Sequence, residues 1–254
     1  MDINDIHLKQ LLVSIEAGEV QEGLILFPEQ KEGEKSPLVV FIHGHNTGGG
    51  WELLAPAQRM TKRGYAVLMP SQIGFGLSTG KRDYCGPKTV AAIAKLIEAV
   101  LAEYPQSLDP NKVVVWGVSR GATVASALVV DHPALFAAGI LVSGVYDMEM
   151  NAGWSGKDPE ILRNLVEETG GTPEAYRLRS SVGRMNSLRC PLLILHGDSD
   201  DVVSVEQALL LDRKLLELGK EHETVVVKGG RHHIGGPAIS REYVFPFLER
   251  ILQK

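Results

Sequence analysis

Cysteine is scarce in this chain of 254 residues, with only Cys85 and Cys190. Two thiols so far apart make neither a metal framework nor a disulfide scaffold. They read as reduced thiols, and a disulfide stays open only if the fold brings them together. Long apolar runs are also missing. No stretch approaches the roughly 18 residues of a membrane span, so no membrane partner is expected. There is no basic block either. Lys and Arg total 26 against 31 Asp and Glu, a net charge of −5, which gives a nucleic acid nothing to bind. The first residues, Met-Asp-Ile-Asn-Asp-Ile-His, hold no signal-peptide core, and a cytoplasmic location is the expectation.

What is present is ordinary for a globular protein: 44% hydrophobic and 22% charged residues. The length fits one α/β domain over residues 1–254. Apolar runs at 11–15, 24–27, 38–42, 65–69, 112–116, 139–143, 191–195 and 224–227 read as eight strands. Helical spacing falls between them at 51–63, 87–104, 120–130 and 205–218, and again at 240–252. Strands alternating with helices predict a mostly parallel sheet covered on both faces. Segment 151–189 breaks the alternation. It is polar, contains Pro159, Gly170-Gly171 and Pro173, and reads as a small insertion over the sheet. One helix is expected near 159–168, with room for a short second one.

The chemistry centres on Gly117-Val118-Ser119-Arg120-Gly121, between an apolar strand and a run of small helix-forming residues. A serine on so sharp a strand-to-helix turn exposes its hydroxyl as a nucleophile. A hydroxyl is a weak nucleophile until a base takes its proton. Two later strand ends offer the partners. Residues 193–203 leave a strand into an acidic turn with Asp198, Asp200 and Asp201, and residues 225–233 end a glycine turn at His232 and His233. The order Ser, Asp, His is that of an α/β-hydrolase triad. A fourth element, Phe41-Ile42-His43-Gly44-His45-Asn46, follows the strand where an oxyanion loop would lie. His43 and His196, each before a glycine at a strand end, read as structural, and His132 as a solvated helix end. Gly48-Gly49-Gly50 and Gly74-Phe75-Gly76 lack the lysine and spacing of a phosphate loop and read as turns. No cofactor and no metal is called for.

With these four motifs in this order, the chain resembles the α/β-hydrolase superfamily. More narrowly it is similar to the prolyl oligopeptidase-family catalytic domain, with dienelactone hydrolase-like esterases as neighbours. Residues 83–87, 143–147, 174–180 and 190–197 carry the narrower likeness. The resemblance implies an eight-stranded α/β-hydrolase fold. It also implies Ser119 as nucleophile, Asp200 as the triad acid and His232 as the base. His45 and Arg120 would give backbone N–H groups to the oxyanion, leaving their side chains free to vary. The chain departs from the family in three ways. No propeller is expected before the sheet, the oxyanion loop reads His-Gly-His-Asn-Thr-Gly-Gly-Gly, and Ser204 stands where proline is common. Without a domain to hold a peptide, the expectation is a carboxylesterase for small or medium acyl esters. A serine peptidase for short peptides is the alternative, and a non-catalytic ligand-binding protein a further one. Trp51, Tyr84, Tyr146 and Trp154 are candidates for the substrate pocket, strongest for Tyr146, although packing also accounts for each.

Overall fold

The structure, a computed structural model, describes residues 8–16, 18–29, 33–45, 48–153, 159–234 and 236–253. Eight strands form one sheet: β1 (Leu8–Ser14), β2 (Val20–Leu26), β3 (Ser36–Ile42), β4 (Ala66–Pro70), β5 (Leu108–Val118), β6 (Ala138–Val142), β7 (Leu192–Gly197) and β8 (His222–Val227). Their spatial order is β1-β2-β4-β3-β5-β6-β7-β8. β2 pairs antiparallel with β1 and β4, and every other pairing is parallel. The helices are α1 (Leu54–Thr61), α2 (Pro87–Glu103), α3 (Arg120–Asp131), α4 (Met148–Gly153), α5 (Pro159–Thr169), α6 (Pro173–Arg179), α7 (Glu206–Glu217), α8 (Pro237–Ile239) and α9 (Phe245–Leu252). A π-helical turn at Ser240–Val244 joins the last two. Among the described residues, no helix is long and apolar enough to cross a membrane.

The central strands are unbroken apolar runs because both faces are covered. Leu38, Val40 and Ile42 of β3 pack with α2, α3 and α7, while Val39 and Phe41 pack with α1 and α9 on the other side. All five residues of β6 are buried. Burying each such aliphatic side chain stabilises by about 1.5–3 kcal/mol. This is the expected α/β-hydrolase arrangement. The edge strand β1 differs, with alternate residues exposed and Lys9 and Gln10 facing water, which protects an open edge.

Local chemistry moves some element ends from their expected places. Helix α1 starts at Leu54, not near 51. Residues Gly49–Leu53 form a 3-10 turn, because Gly49 is left-handed at φ +63° and Gly50 lies against the Met69 carbonyl. The insertion is also more helical than expected. It holds α5, α6 and a 3-10 turn at Val182–Ser187, and α4 runs into its first residues.

Parallel strands bring the carboxyl ends of β3, β5, β7 and β8 to one edge, where ligands of open α/β sheets bind. The loop after β4 is tied to that edge by a buried carboxylate. Glu22 accepts from Ser71 Oγ at 2.7 Å, Leu77 N–H at 2.9 Å and Gln10 Nε2 at 2.6 Å. Burial alone would raise its pKa; these bonds outweigh burial and lower it.

The turn between β5 and α3 depends on two close approaches. A Cβ on Gly117 would lie 2.2 Å from the Gly121 carbonyl oxygen, and one on Gly121 would lie 2.2 Å from that of Ile42. Both obstacles are backbone and cannot step aside. Gly121→Ala is therefore expected to lower the thermal midpoint clearly, at about 2–4 °C per kcal/mol for a domain of this size. Gly153→Ala, with nothing among the described residues within 4 Å of the new methyl, is expected to leave it unchanged or slightly raised. Calorimetry on the two variants checks the contrast.

Candidate active site

Ser119 sits between β5 and α3 with φ 54° and ψ −122°, a conformation that side-chain-bearing residues rarely adopt. Such backbone strain costs on the order of 1–3 kcal/mol. Three bonds hold it. Ser119 N–H donates to the Val142 carbonyl at 2.8 Å, and the Ser119 carbonyl accepts from the N–H groups of Ala122 at 2.9 Å and Thr123 at 3.2 Å. The turn points the hydroxyl at His232, whose Nε2 lies 2.8 Å from Ser119 Oγ.

His232 Nδ1–H donates to Asp200 Oδ2 at 2.8 Å. The other oxygen, Oδ1, accepts the N–H groups of Val202 and Val203, both at 2.9 Å. Burial would raise the pKa of Asp200. The hydrogen bonds from His196, His232 and Val203 outweigh it and hold the carboxyl well below the usual range. Asp200 is thus ionised when His232 needs a counter-charge.

The two loops that carry these residues are fastened to each other. Gly197 lies so close to the Gly230 carbonyl that a Cβ would come within 2.1 Å of its oxygen. Ser199 N–H donates to Gly230 O at 2.9 Å, and Gly229 N–H donates to Asp198 Oδ1 at 2.7 Å. The remaining candidates from the sequence take other work. Asp201 pairs with Arg231 at 2.6 Å on the surface. His233 is exposed, its ring 5.2 Å from that of His232. His196 is fully buried beside Asp200.

β3 pairs with β5 up to Ile42 opposite Gly117, which brings the His43–His45 loop beside Ser119. A Cβ on Gly44 would lie 3.6 Å from Ser119 Cβ. His45, Ser119 and Arg120 line one narrow cleft of about 30 Å³. Its other walls are mainly apolar, with Val145, Met148, Ile161 and Val203 among them. Arg120 opens α3, so its N–H has no intrahelical acceptor. The His45 ring is fixed by Asn164 of α5, whose Nδ2–H donates to Nε2 at 3.2 Å. Burial and the nearby Arg120 cation lower the His45 pKa.

Two pocket candidates are corrected here. Tyr146 is fully buried and lines no part of the cleft. The Gln207 side chain accepts both Tyr146 N–H and Asp147 N–H at 2.8 Å, and the ring folds inward beside Gly144. Trp51 is 44% exposed, outside the cleft lining, and bonds to the Glu22 carboxylate. Trp154 lies outside the described residues.

The Arg120 side chain is a third correction, because it is not free to vary. It is buried and donates through Nη2 to Glu168 Oε2 at 2.8 Å and through Nε to Gln72 Oε1 at 3.1 Å. Its guanidinium lies 4.6 Å over the Tyr84 ring. Glu168 Oε2 also accepts Tyr84 N–H at 2.9 Å. Tyr84 and Cys85 are both left-handed, at φ 44° and 61°, and Arg179 Nε holds that turn by donating to the Asp83 and Tyr84 carbonyls. Gln72 N–H in turn donates to His43 Nε2 at 3.0 Å, while His43 Nδ1–H donates to Gly44 O at 2.9 Å. One polar network thus joins the oxyanion-loop candidate, the serine turn and the insertion. Sequence reading found His43 as a structural residue and Tyr84 as a pocket candidate, and Tyr84 does line the cleft, but it missed Gln72, Glu168 and Arg179. Glu168 lies 48 residues from Arg120, and no local pattern pairs them. Both cysteines are free and buried.

The model of the prolyl oligopeptidase family matches residues 51–253. Two Bacillus subtilis proteins, named as the uncharacterized peptidases YtmA and YuxL, are each 26% identical, over 65% and 93% of this chain. The chain spans 64% and 37% of their lengths. A solved acylaminoacyl peptidase in complex with Z-Gly-Gly-Phe-chloromethyl ketone matches with TM-score 0.82 at 26% identity, covering 98% of this chain and 42% of its own.

Removing one partner of a buried ion pair leaves an uncompensated charge. Glu168→Ala is therefore expected to cost about 3–5 kcal/mol in urea unfolding, with part recovered in the Arg120→Met/Glu168→Met double variant. The pH response has a definite sign. Burial lowers the pKa of His43 from 6.5 to about 4, so the unfolded chain takes its proton first. Its contribution is full above pH 6.5 and is lost as pH falls toward 4. His43→Asn is expected to flatten the fall of thermal midpoint across that window, whereas the loss from Asp200 lies at lower pH.

Proposed function

The chain belongs to the prolyl oligopeptidase family of serine hydrolases, and from that premise we propose that it is a serine peptidase acting on short peptides. The observation that carries the reading is the continuous hydrogen-bonded line Ser119–His232–Asp200 at the mouth of a narrow cleft. The ester preference expected from the sequence rested on the lack of a second domain. A second domain would bear on which substrates reach the serine, not on the reaction. The relatives in peptidase families favour the peptide bond, and the peptide reading takes precedence.

In the proposed reaction Ser119 Oγ attacks the carbonyl carbon while its proton passes to His232 Nε2. Asp200 orients the imidazole and stabilises the imidazolium. The N–H groups of His45 and Arg120 receive the developing oxyanion; one such donor is worth about 2.7–4 kcal/mol. The tetrahedral adduct collapses, the C–N bond breaks, and the leaving amine takes the proton from His232. Water then attacks the acyl-enzyme, again losing its proton to His232, and frees the acid and Ser119. The cleft volume of about 30 Å³ and its valine and methionine walls support a small aliphatic side chain or acyl group beside the scissile carbonyl.

Steady-state rates on aminoacyl and N-acyl-aminoacyl anilides, set against p-nitrophenyl esters, test the reading. Turnover of anilides is expected, with alanine preferred to phenylalanine next to the scissile bond. Ser119→Ala should lower kcat by several orders of magnitude, about 10⁶ where a triad serine has been removed. Ester turnover with no anilide turnover would return the reading to a carboxylesterase.

A further inference from the structure

A second cavity, of about 280 Å³, lies between α1, the sheet and the α8–α9 region. It shares no lining residue with the cleft at Ser119. Its floor is the stacked pair Phe41 and Trp116, with ring centroids 4.7 Å apart, and Phe245 forms one wall. We propose that this cavity is a binding site for a small amphiphilic carboxylate, an anion with a compact apolar body.

Three independent features point to that chemistry. The first is an unsatisfied donor. Trp116 is 4% exposed, and its indole Nε1–H has no acceptor among the described residues. A buried donor without a partner is costly, and buried indoles usually find one. The Nε1–H is closed to water, so a ligand oxygen in the cavity reaches it through a small shift of the ring or its neighbours on binding. The second feature is charge. Arg59, Lys62, Arg63 and Arg241 line the cavity, and among the described residues no acidic one does. None of the four is ion-paired among the described residues, on a chain whose net charge is −5. Arg63 is already held in place, its guanidinium 3.8 Å over the Phe245 ring. The third feature is size and polarity. The volume sits near the lower end of the roughly 300–1,000 Å³ of small-molecule sites, enough for one ring or a short chain. Inorganic phosphate would leave the aromatic floor wet, whereas an apolar body covers it while the carboxylate meets the cations.

The full chain, isotopically labelled, can be titrated with phenylbutyrate and with the uncharged phenylbutanol. The readout is the indole N–H signal of Trp116, assigned by its disappearance in Trp116→Phe. Phenylbutyrate is expected to shift this signal saturably, and phenylbutanol to do so far more weakly. Arg59→Ala and Arg241→Ala, both at exposed positions, are each expected to weaken phenylbutyrate binding about tenfold. No saturable shift with phenylbutyrate would overturn the proposal, as would an equal response to phenylbutanol or unchanged affinity in both arginine variants. A shift that follows protein concentration alone would assign the cavity to a second copy of the chain and overturn it too.

Discussion

Every distance at the candidate site depends on the backbone of one residue. Ser119 is held at φ 54°, where its hydroxyl leaves the sheet edge and meets His232. That conformation is unfavourable by itself and persists because the surroundings over-determine it. Gly117 and Gly121 let the strand, the helix and the end of β3 approach to backbone contact, and the Val142 carbonyl fixes the serine N–H. The same contact sets the position of the His43–His45 loop. Strain at Ser119 and the placement of two candidate oxyanion donors are therefore one feature of the fold.

A second layer makes this geometry rigid. The Asp200 and His232 loops touch through Gly197 and Gly230, so acid and base are positioned against each other before either meets the serine. On the other side, the Arg120 guanidinium spans Gln72 and Glu168. A buried arginine with one carboxylate and one amide partner is expensive to assemble and costly to break. Its consequence is positional: α5 of the insertion is tied to the residue next to the serine. Asn164 on the same helix holds the His45 ring. The cleft wall and the serine turn thus move as a unit.

Much of this was legible in the sequence where the signal is local. Apolar runs marked all eight strands, unbroken in the central ones because a sheet covered on both faces leaves no room for polar alternation, and shorter at the half-exposed edges β1 and β8. The glycine-framed serine and the order Ser, Asp, His named the residues that the fold brings together. Which of three aspartates and two histidines take part needed the resemblance to a family, since each candidate sits in the same short turn. Tyr146 was misplaced for a physical reason: a position at a strand end does not fix the direction of a side chain. Here the Gln207 amide pins the backbone so that the ring turns into the core. The Arg120 network was illegible because its partners come from a loop and an insertion 48 residues away on either side in sequence.

The account stands on Ser119 being a nucleophile activated by His232. Intact-mass and peptide mapping after exposure to a fluorophosphonate measures this directly, without assuming a natural substrate. One adduct at Ser119 is expected, and none in His232→Gln under the same conditions. An unlabelled Ser119 in the folded native chain, or a label whose rate is unaffected by loss of His232, would contradict the account.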